Sequence, residues 1–418
     1  MKELKEKNKK LIICGIVMIT LILLFAGYEM ATVFWKVDSR EEQEESQVEE
    51  VSTDVLDYDI KLIKEVNEKE NYLISPYSIE IALSMLKDGA DGNTKKEIEN
   101  LIGNREINSD LNVKNKVNIA NGVFIKNEYK DAVIDTFYET VKEKYKADII
   151  YDDLKSPKVV NDWVNKKTYN MIPKLFDELE DPLIVLTNAV ALNVEWKYAF
   201  ECKNTTKSEF IKNDGTKIDV SMMHQNYSED AKYFETDNAK GVILPYQAYD
   251  EEGNVVKKGK SLEFVGILPN DNVESYIKNL TSDEISSIDD NLEEASEDEN
   301  IRVSLPSFSY DYTVKEFVEH LKNLGINEAF TPNCDLSKMI KESSYVSDVA
   351  HKTFIEVDEK GTKAAAATGV VVTKNAISSV KEITFDKPFV YMIRDSKSHE
   401  MLFFGTVYEP NKWTEKKC

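Results

Sequence analysis

The chain has 418 residues, 42% of them hydrophobic, which is ample for a large packed body. Acidic residues outnumber basic ones by 76 to 53, giving a formal net charge of -23. That balance speaks against nucleic-acid binding, which needs a basic surface.

The N-terminal stretch stands apart from the rest. Lys2, Lys5, Lys7, Lys9 and Lys10 make residues 1–10 basic, and Leu11 to Gly27 is apolar and uncharged. Glu29 interrupts before a second apolar patch from Ala31 to Trp35. A basic start followed by an apolar run is a signal-anchor or a cleaved signal peptide, so residues 11–35 are expected to be one of these. The uninterrupted run is short for a spanning helix. Ala26-Gly27 is a candidate cleavage point but not a convincing one, and Cys14 lies inside the run, where it does not suit a lipid anchor. A retained single-pass anchor is favoured over a secreted, cleaved form. Either way the body is expected to be extracellular. Residues 36–54 cluster Glu41, Glu42, Glu44, Glu45, Glu49 and Glu50, so a disordered acidic stalk is expected, with a helical neck as the alternative.

The body, 55–418, opens with an amphipathic segment from Asp59 to Glu68. Ser75-Pro76 then reads as a helix entry, because Ser caps a helix and Pro fits its first position. Ile79, Ala82, Leu83 and Leu86 recur at helical spacing, and Thr94 with Glu97 suggests a second capped helix. Val117 to Ile125 reads as a strand, and Ala132 to Tyr145 and Val159 to Thr168 as helices. Leu183 to Val194 is almost unbroken apolar sequence, as a strand buried on both faces should be. Asn188 inside that run needs hydrogen-bond partners. Ser208 to Met223, and Gly241 to Leu268 with a hydrophilic interruption from Asp250 to Gly259, read as hairpin strands. Ser282 to Asn300 reads as a surface helix or loop, and Arg302 to Tyr310 as a strand. No repeat or Pro/Gly-rich linker divides 60–418, so one domain of mixed α/β class is expected, with helices around large, mostly antiparallel sheets.

The stretch from Glu359 to Ser378 contradicts itself in propensity. Ala364 to Ala367 favours helix, while Thr368 to Thr373 is a β-branched run. As a strand, one face would carry Thr362, Ala364, Ala366, Thr368, Val370 and Val372, none charged. The other would carry Lys363, Ala365, Ala367, Gly369, Val371 and Thr373. The first face could pack on a core without burying a charge, and Gly361 lets the backbone turn just before it.

These residues, with Phe385-Asp-Lys-Pro-Phe-Val-Tyr-Met-Ile393 downstream and the Ser75-Pro76 and Gly89-Ala90 patterns upstream, resemble the serpins, a family of serine protease inhibitors. The resemblance implies a serpin fold with an exposed reactive-centre loop at 359–382. It implies a suicide-substrate inhibitor of serine, or also cysteine, endopeptidases, which traps its target as a covalent complex when the cut loop inserts into the central sheet. Glu359, Gly361, Thr362, Ala364, Ala365, Ala366, Ala367 and Thr368 correspond to the family's hinge. Ser75, Ser78, Asn188 and His351 correspond to its polar "shutter", and Trp196 to its "breach", where loop entry begins. Counting from Glu359 at the family's usual spacing gives Asn375–Ala376 as the reactive bond. Counting back from Pro388 gives Ile377–Ser378, and Lys374–Asn375 is the alternative that would suit a trypsin-like protease. A monomer is implied. A non-inhibitory serpin acting as a cell-surface binding protein is the alternative, disfavoured by the small, uncharged hinge.

Other chemistry has little foothold. Gly-x-Ser-x-Gly, His-Glu-x-x-His, Walker and Gly-x-Gly-x-x-Gly patterns are lacking, so an enzyme is not expected, nor a cofactor or metal. A Cys202–Cys334 bridge is a minor option, and His224, His320 and His399 read as unpartnered surface residues. Arg105, Lys114 and Lys116 lie scattered among acids, so no heparin-type cofactor is expected.

Overall fold

The computed structural model describes residues 53–103, 111–296, 299–346, 349–362 and 379–415. The chain divides into two units, 1–50 and 51–418, and only the second contains described residues. The basic start, the apolar segment 11–35 and nearly all of the stalk lie outside them. So do the loop residues Ala364, Ala365, Ala366, Ala367, Thr368, Lys374, Asn375 and Ala376. Among the described residues no helix is long and apolar enough to cross a membrane.

Local chemistry sets the helix starts. Helix α1 spans Thr53–Glu65, beginning ahead of the amphipathic segment read from Asp59. Helix α2, Pro76–Gly89, begins as the sequence suggests: the Ser75 side chain accepts the Ser78 N–H at 3.2 Å, and Pro76 occupies the first turn. Its apolar face buries Ile79, Leu83 and Leu86. Helix α3, Gly92–Ile102, starts earlier than expected, because Asp91 rather than Thr94 provides the N-cap. Thr94 is buried inside the helix, where its hydroxyl donates to Glu328 at 3.1 Å and accepts the Asp335 N–H at 3.0 Å. Helices α4, Asp135–Glu143, and α5, Lys158–Lys167, follow the expected segments.

The sheet that matters for function is built from β1 (Val117–Lys126), β2 (Asp148–Asp152), β3 (Ile184–Leu192), β4 (Val194–Glu195), β5 (Phe308–Thr313), β6 (Lys352–Val357) and β7 (Gly361–Thr362). It comes in two parts: β2-β1-β3, and β5-β6-β7-β4. Only β1 and β2 run parallel; the other pairs are antiparallel. The chain runs from β3 straight into β4, yet among the described residues no strand pairs with β3 on the edge facing β6. Strand β3 is apolar on both faces for two separate reasons. Val185 and Ala189 pack beneath Trp163 and Val164 of α5, while Leu192, with Ile184, Leu186 and Val190, faces the main core.

Behind this sheet lies a seven-stranded one whose central strands, Leu262–Pro269 and Phe389–Asp395, are buried along their whole length. A four-stranded sheet holds Ser379–Thr384 against Glu299–Pro306. The segment between Thr362 and Ser379 therefore connects the main sheet to the four-stranded one.

Three sequence expectations need correction, and the minor Cys202–Cys334 option does not form. The hydrophilic interruption is itself a hairpin, Ala248–Tyr249 paired with Val255–Val256. Cys334 carries a free thiol, and Cys202, which is disulfide-bonded, is not bonded to it. Asp91, not Thr94, caps α3. The three histidines all have partners, because folding brings distant polar groups to them. His224 bonds Thr206 and Ser304, each at 2.9 Å. His320 lies 3.1 Å from Glu65 and His399 3.2 Å from Asp289.

Candidate functional site

The two parts of the main sheet meet at one end, around the start of the loop. Glu359 is buried; its carboxylate accepts the Thr205 hydroxyl at 2.8 Å and its carbonyl accepts the Phe200 N–H at 2.8 Å. The Lys360 carbonyl accepts the Trp196 N–H at 2.9 Å, and the Trp196 indole donates to the Asp358 carbonyl at 2.9 Å. Trp196 thus grips the chain from both its backbone and its side chain. It is fixed in turn by aromatic neighbours: Tyr246 stacks on it at 4.5 Å, and Phe264 meets it edge-on at 5.6 Å. Such pairs contribute roughly 0.5–1.5 kcal/mol each beyond their burial.

Gly361 and Thr362 then enter the sheet. Gly361 pairs with Glu195, and Thr362 pairs with Val194 on one side and Val357 on the other. Gly361 sits at φ 154°, and a Cβ there would stand 2.1 Å from the Val194 carbonyl oxygen, so no side chain is tolerated. Thr362 points inward, 3% exposed, and its hydroxyl shares a 2.6 Å hydrogen bond with that of Tyr246. Burial pushes the Tyr246 phenol well above its ordinary pKa, so this contact is between neutral groups.

Below Thr362 the sheet is open. A cavity of ≈ 850 Å³ is lined there by Ser78, Leu186, Asn188, Phe317, Tyr345 and His351, among others. The four residues assigned by resemblance to a polar cluster are gathered at this opening. The Ser75 N–H donates to His351 Nε2 at 3.1 Å, across 276 residues of chain. The Ser78 hydroxyl donates to Asn188 Oδ1. The first turn of α2 therefore holds both separated edges at once, β3 through Asn188 and the lead-in to β6 through His351. Burial drives the His351 imidazole down to a pKa of about 4, so it is neutral and accepts.

Sequence reasoning missed part of both clusters. Asn188 Nδ2 donates to Asn121 Oδ1 at 2.6 Å, and Asn121 Nδ2 donates to the Tyr145 carbonyl at 2.6 Å. Asn121 sits inside an apolar strand just as Asn188 does, so the same signal could have found it. Tyr246 and Thr205 at the upper end carried no comparable signal.

This arrangement has recognisable relatives. A family model described as "Serpin (serine protease inhibitor)" matches residues 55–410. Among curated proteins, Iripin-2 of Ixodes ricinus is 30% identical over 370 residues, covering 81% of this chain and 88% of the relative. Intracellular coagulation inhibitor 2 of Tachypleus tridentatus is 30% identical over 391 residues, covering 86% and 91%. Among solved structures, the thermophilic serpin tengpin in its native state aligns with a TM-score of 0.72 at 32% identity, covering 85% of this chain and 93% of that one.

Proposed function

The chain belongs to the serpin family and has the serpin fold, and we propose that it is an inhibitory member. The target is a serine-class endopeptidase, a cysteine protease being the wider option. The protease nucleophile attacks the carbonyl carbon of the reactive residue. An ester to the enzyme forms, the peptide bond breaks, and the new amino terminus leaves with a proton. The freed loop then enters the open sheet and carries the esterified protease with it before water can release it.

The observation that carries this reading is the seat of Gly361 and Thr362 at the top of the opening. Their register with β4 and β6, continued downward, would bring Ala364 level with Leu192 and Ile355, and Ala366 level with Val190 and Thr353. It would bring Thr368 level with both Asn188 and His351, between the groups that the first turn of α2 now holds. Val370 and Val372 would follow beside Leu186 and Ile184. Every loop residue on that side is uncharged, so insertion in this register would bury no charge. Insertion would also give β3 a hydrogen-bonding partner on the edge where no described strand pairs with it.

The reactive bond is proposed as Asn375–Ala376, with Lys374–Asn375 next. Segment 11–35 is proposed to keep the body outside the cytoplasm, a reading that protease digestion of intact cells would check. The main test mixes the full-length chain with trypsin-, elastase-, subtilisin- and legumain-like proteases. A denaturant-stable complex on a gel is expected, and the first residue of the released C-terminal peptide identifies the bond. Cleavage without a complex, and without a rise in the heat resistance of the cleaved body, would overturn inhibition.

A further inference from the structure

Strand β4 needs a second edge partner. Its hinge-side edge receives Gly361 and Thr362, but on the far side β1 has run out: Val117, its first residue, pairs with Leu192. The Trp196 N–H bonds the Lys360 carbonyl, which makes Gly361 and Glu195 a non-hydrogen-bonded pair. The Glu195 N–H and C=O therefore point away from the hinge, and buried backbone groups must find partners.

The chain leading into the hairpin supplies them. The Gln247 N–H donates to the Glu195 carbonyl at 2.8 Å, and the Glu195 N–H donates to the Tyr249 hydroxyl at 3.0 Å. That hydroxyl in turn donates to the Glu195 carboxylate. Lys116 Nζ, just ahead of β1, reaches both carboxylate oxygens at 2.6 and 2.8 Å and lies 5.0 Å from the centre of the Tyr249 ring. The hairpin is braced as well. Tyr249 and Lys260 exchange backbone hydrogen bonds of 2.9 and 3.0 Å, and Gly253 is so close to the Lys114 carbonyl that a Cβ would stand 2.3 Å away.

We infer that this hairpin is a positioning device for loop entry: Tyr249, Glu195 and Lys116 hold β4 as a fixed rail against which the hinge seats. Its effect on protease trapping rests on the inhibitory reading; the seating of the hinge does not. Freeing the rail frays β4, and Gly361 and Thr362 lose one of their two walls while the rest of the body is unaffected.

The test is hydrogen exchange on the full-length chain, with the amount of inhibitor consumed per protease trapped as a second readout. Tyr249→Phe removes the hydroxyl that serves both the Glu195 amide and its carboxylate. Amides of residues 194–196 and 361–362 are expected to exchange roughly tenfold faster, the equivalent of one hydrogen bond. Amides of Leu262–Pro269 and Phe389–Asp395 should be unchanged, and inhibitor consumption should rise several-fold. Glu195→Gln keeps the shape but removes the charge that Lys116 meets, and should give a smaller rise at the same amides should Tyr249→Phe not fold. Unchanged exchange around the hinge, or a uniform rise across both sheets, would overturn the inference. A wild-type chain that traps no protease would overturn the inhibitory reading instead, and the exchange comparison would still decide the rail.

Discussion

Thr362→Glu is the most direct way to ask whether loop entry limits the fate of the acyl-enzyme. Thr362 is 3% exposed and bonded to the Tyr246 hydroxyl, and the cavity beside it is ≈ 10 Å³, too small for a longer side chain. Among the described residues no basic side chain lines that cavity, so the new carboxylate would find no cation there. An uncompensated buried charge costs about 3–5 kcal/mol. Thr362 is already seated between β4 and β6 in the uncut chain, so the glutamate would expel the hinge from the sheet. Insertion would have to begin by burying the charge, and with ~3 kcal/mol of the cost on that step it slows by roughly 100-fold. Hydrolysis of the ester would then overtake trapping, and the inhibitor would become a substrate. Thr362→Ala is the control, since it loses only the hydrogen bond to Tyr246, worth about 0.5–1.5 kcal/mol. Titration against a fixed amount of protease measures the outcome directly. Wild type and Thr362→Ala should approach one inhibitor per protease, while Thr362→Glu should need tens or more and leave cleaved chain on a denaturing gel. A Thr362→Glu chain that traps as economically as wild type would refute the argument that the inward face must be uncharged.

Other consequences follow from the same geometry. Because burial lowers the folded-state pKa of His351 to about 4, the unfolded chain binds the extra proton between pH 4 and 6.5. Its contribution to stability is therefore fully present above pH 6.5 and is lost as the pH falls towards 4, by about 3 kcal/mol in all. Urea melts across that range should show the slope, and His351→Gln should flatten it. Asn121→Ala leaves both Asn188 Nδ2 and the Tyr145 carbonyl without their partner, so a loss of about 1–3 kcal/mol in urea melts is expected. Burial pushes the Cys334 thiol up to about 11, so alkylation at pH 8 should be slow in the folded chain and fast in denaturant.

What could be read in advance was what local chemistry decides. Ser75 and Pro76 announce the start of α2 because capping acts within one turn, and Asn188 announces a need for partners because an amide in an apolar run must be satisfied. The partners themselves were out of reach: Ser78 lies 110 residues from Asn188 and Ser75 lies 276 from His351. Residues 250–259 looked like a break between strands because the hairpin there is short and its partners lie elsewhere, in Glu195 and around Lys114. The histidines failed for the same reason, since none of their partners is a near neighbour in sequence. Thr94 misled in another way, because its hydroxyl serves Glu328 and Asp335 across the fold rather than the end of its own helix.

The inward face of the loop is where the two lines of reasoning meet independently. Alternation alone puts Thr362, Ala364, Ala366, Thr368, Val370 and Val372 on one side and leaves that side uncharged. It cannot say which side turns inward. Thr362 answers that by its own burial against Tyr246, and neither observation uses the other. The register then explains the sizes as well as the charges. Ala364 would come level with Leu192 and Ile355 and Ala366 with Val190 and Thr353, whose side chains already pack on the core side of the sheet, and Thr368 would arrive level with the polar pair Asn188 and His351. A loop that only had to be exposed and cleavable would have no reason to match the sheet in this way.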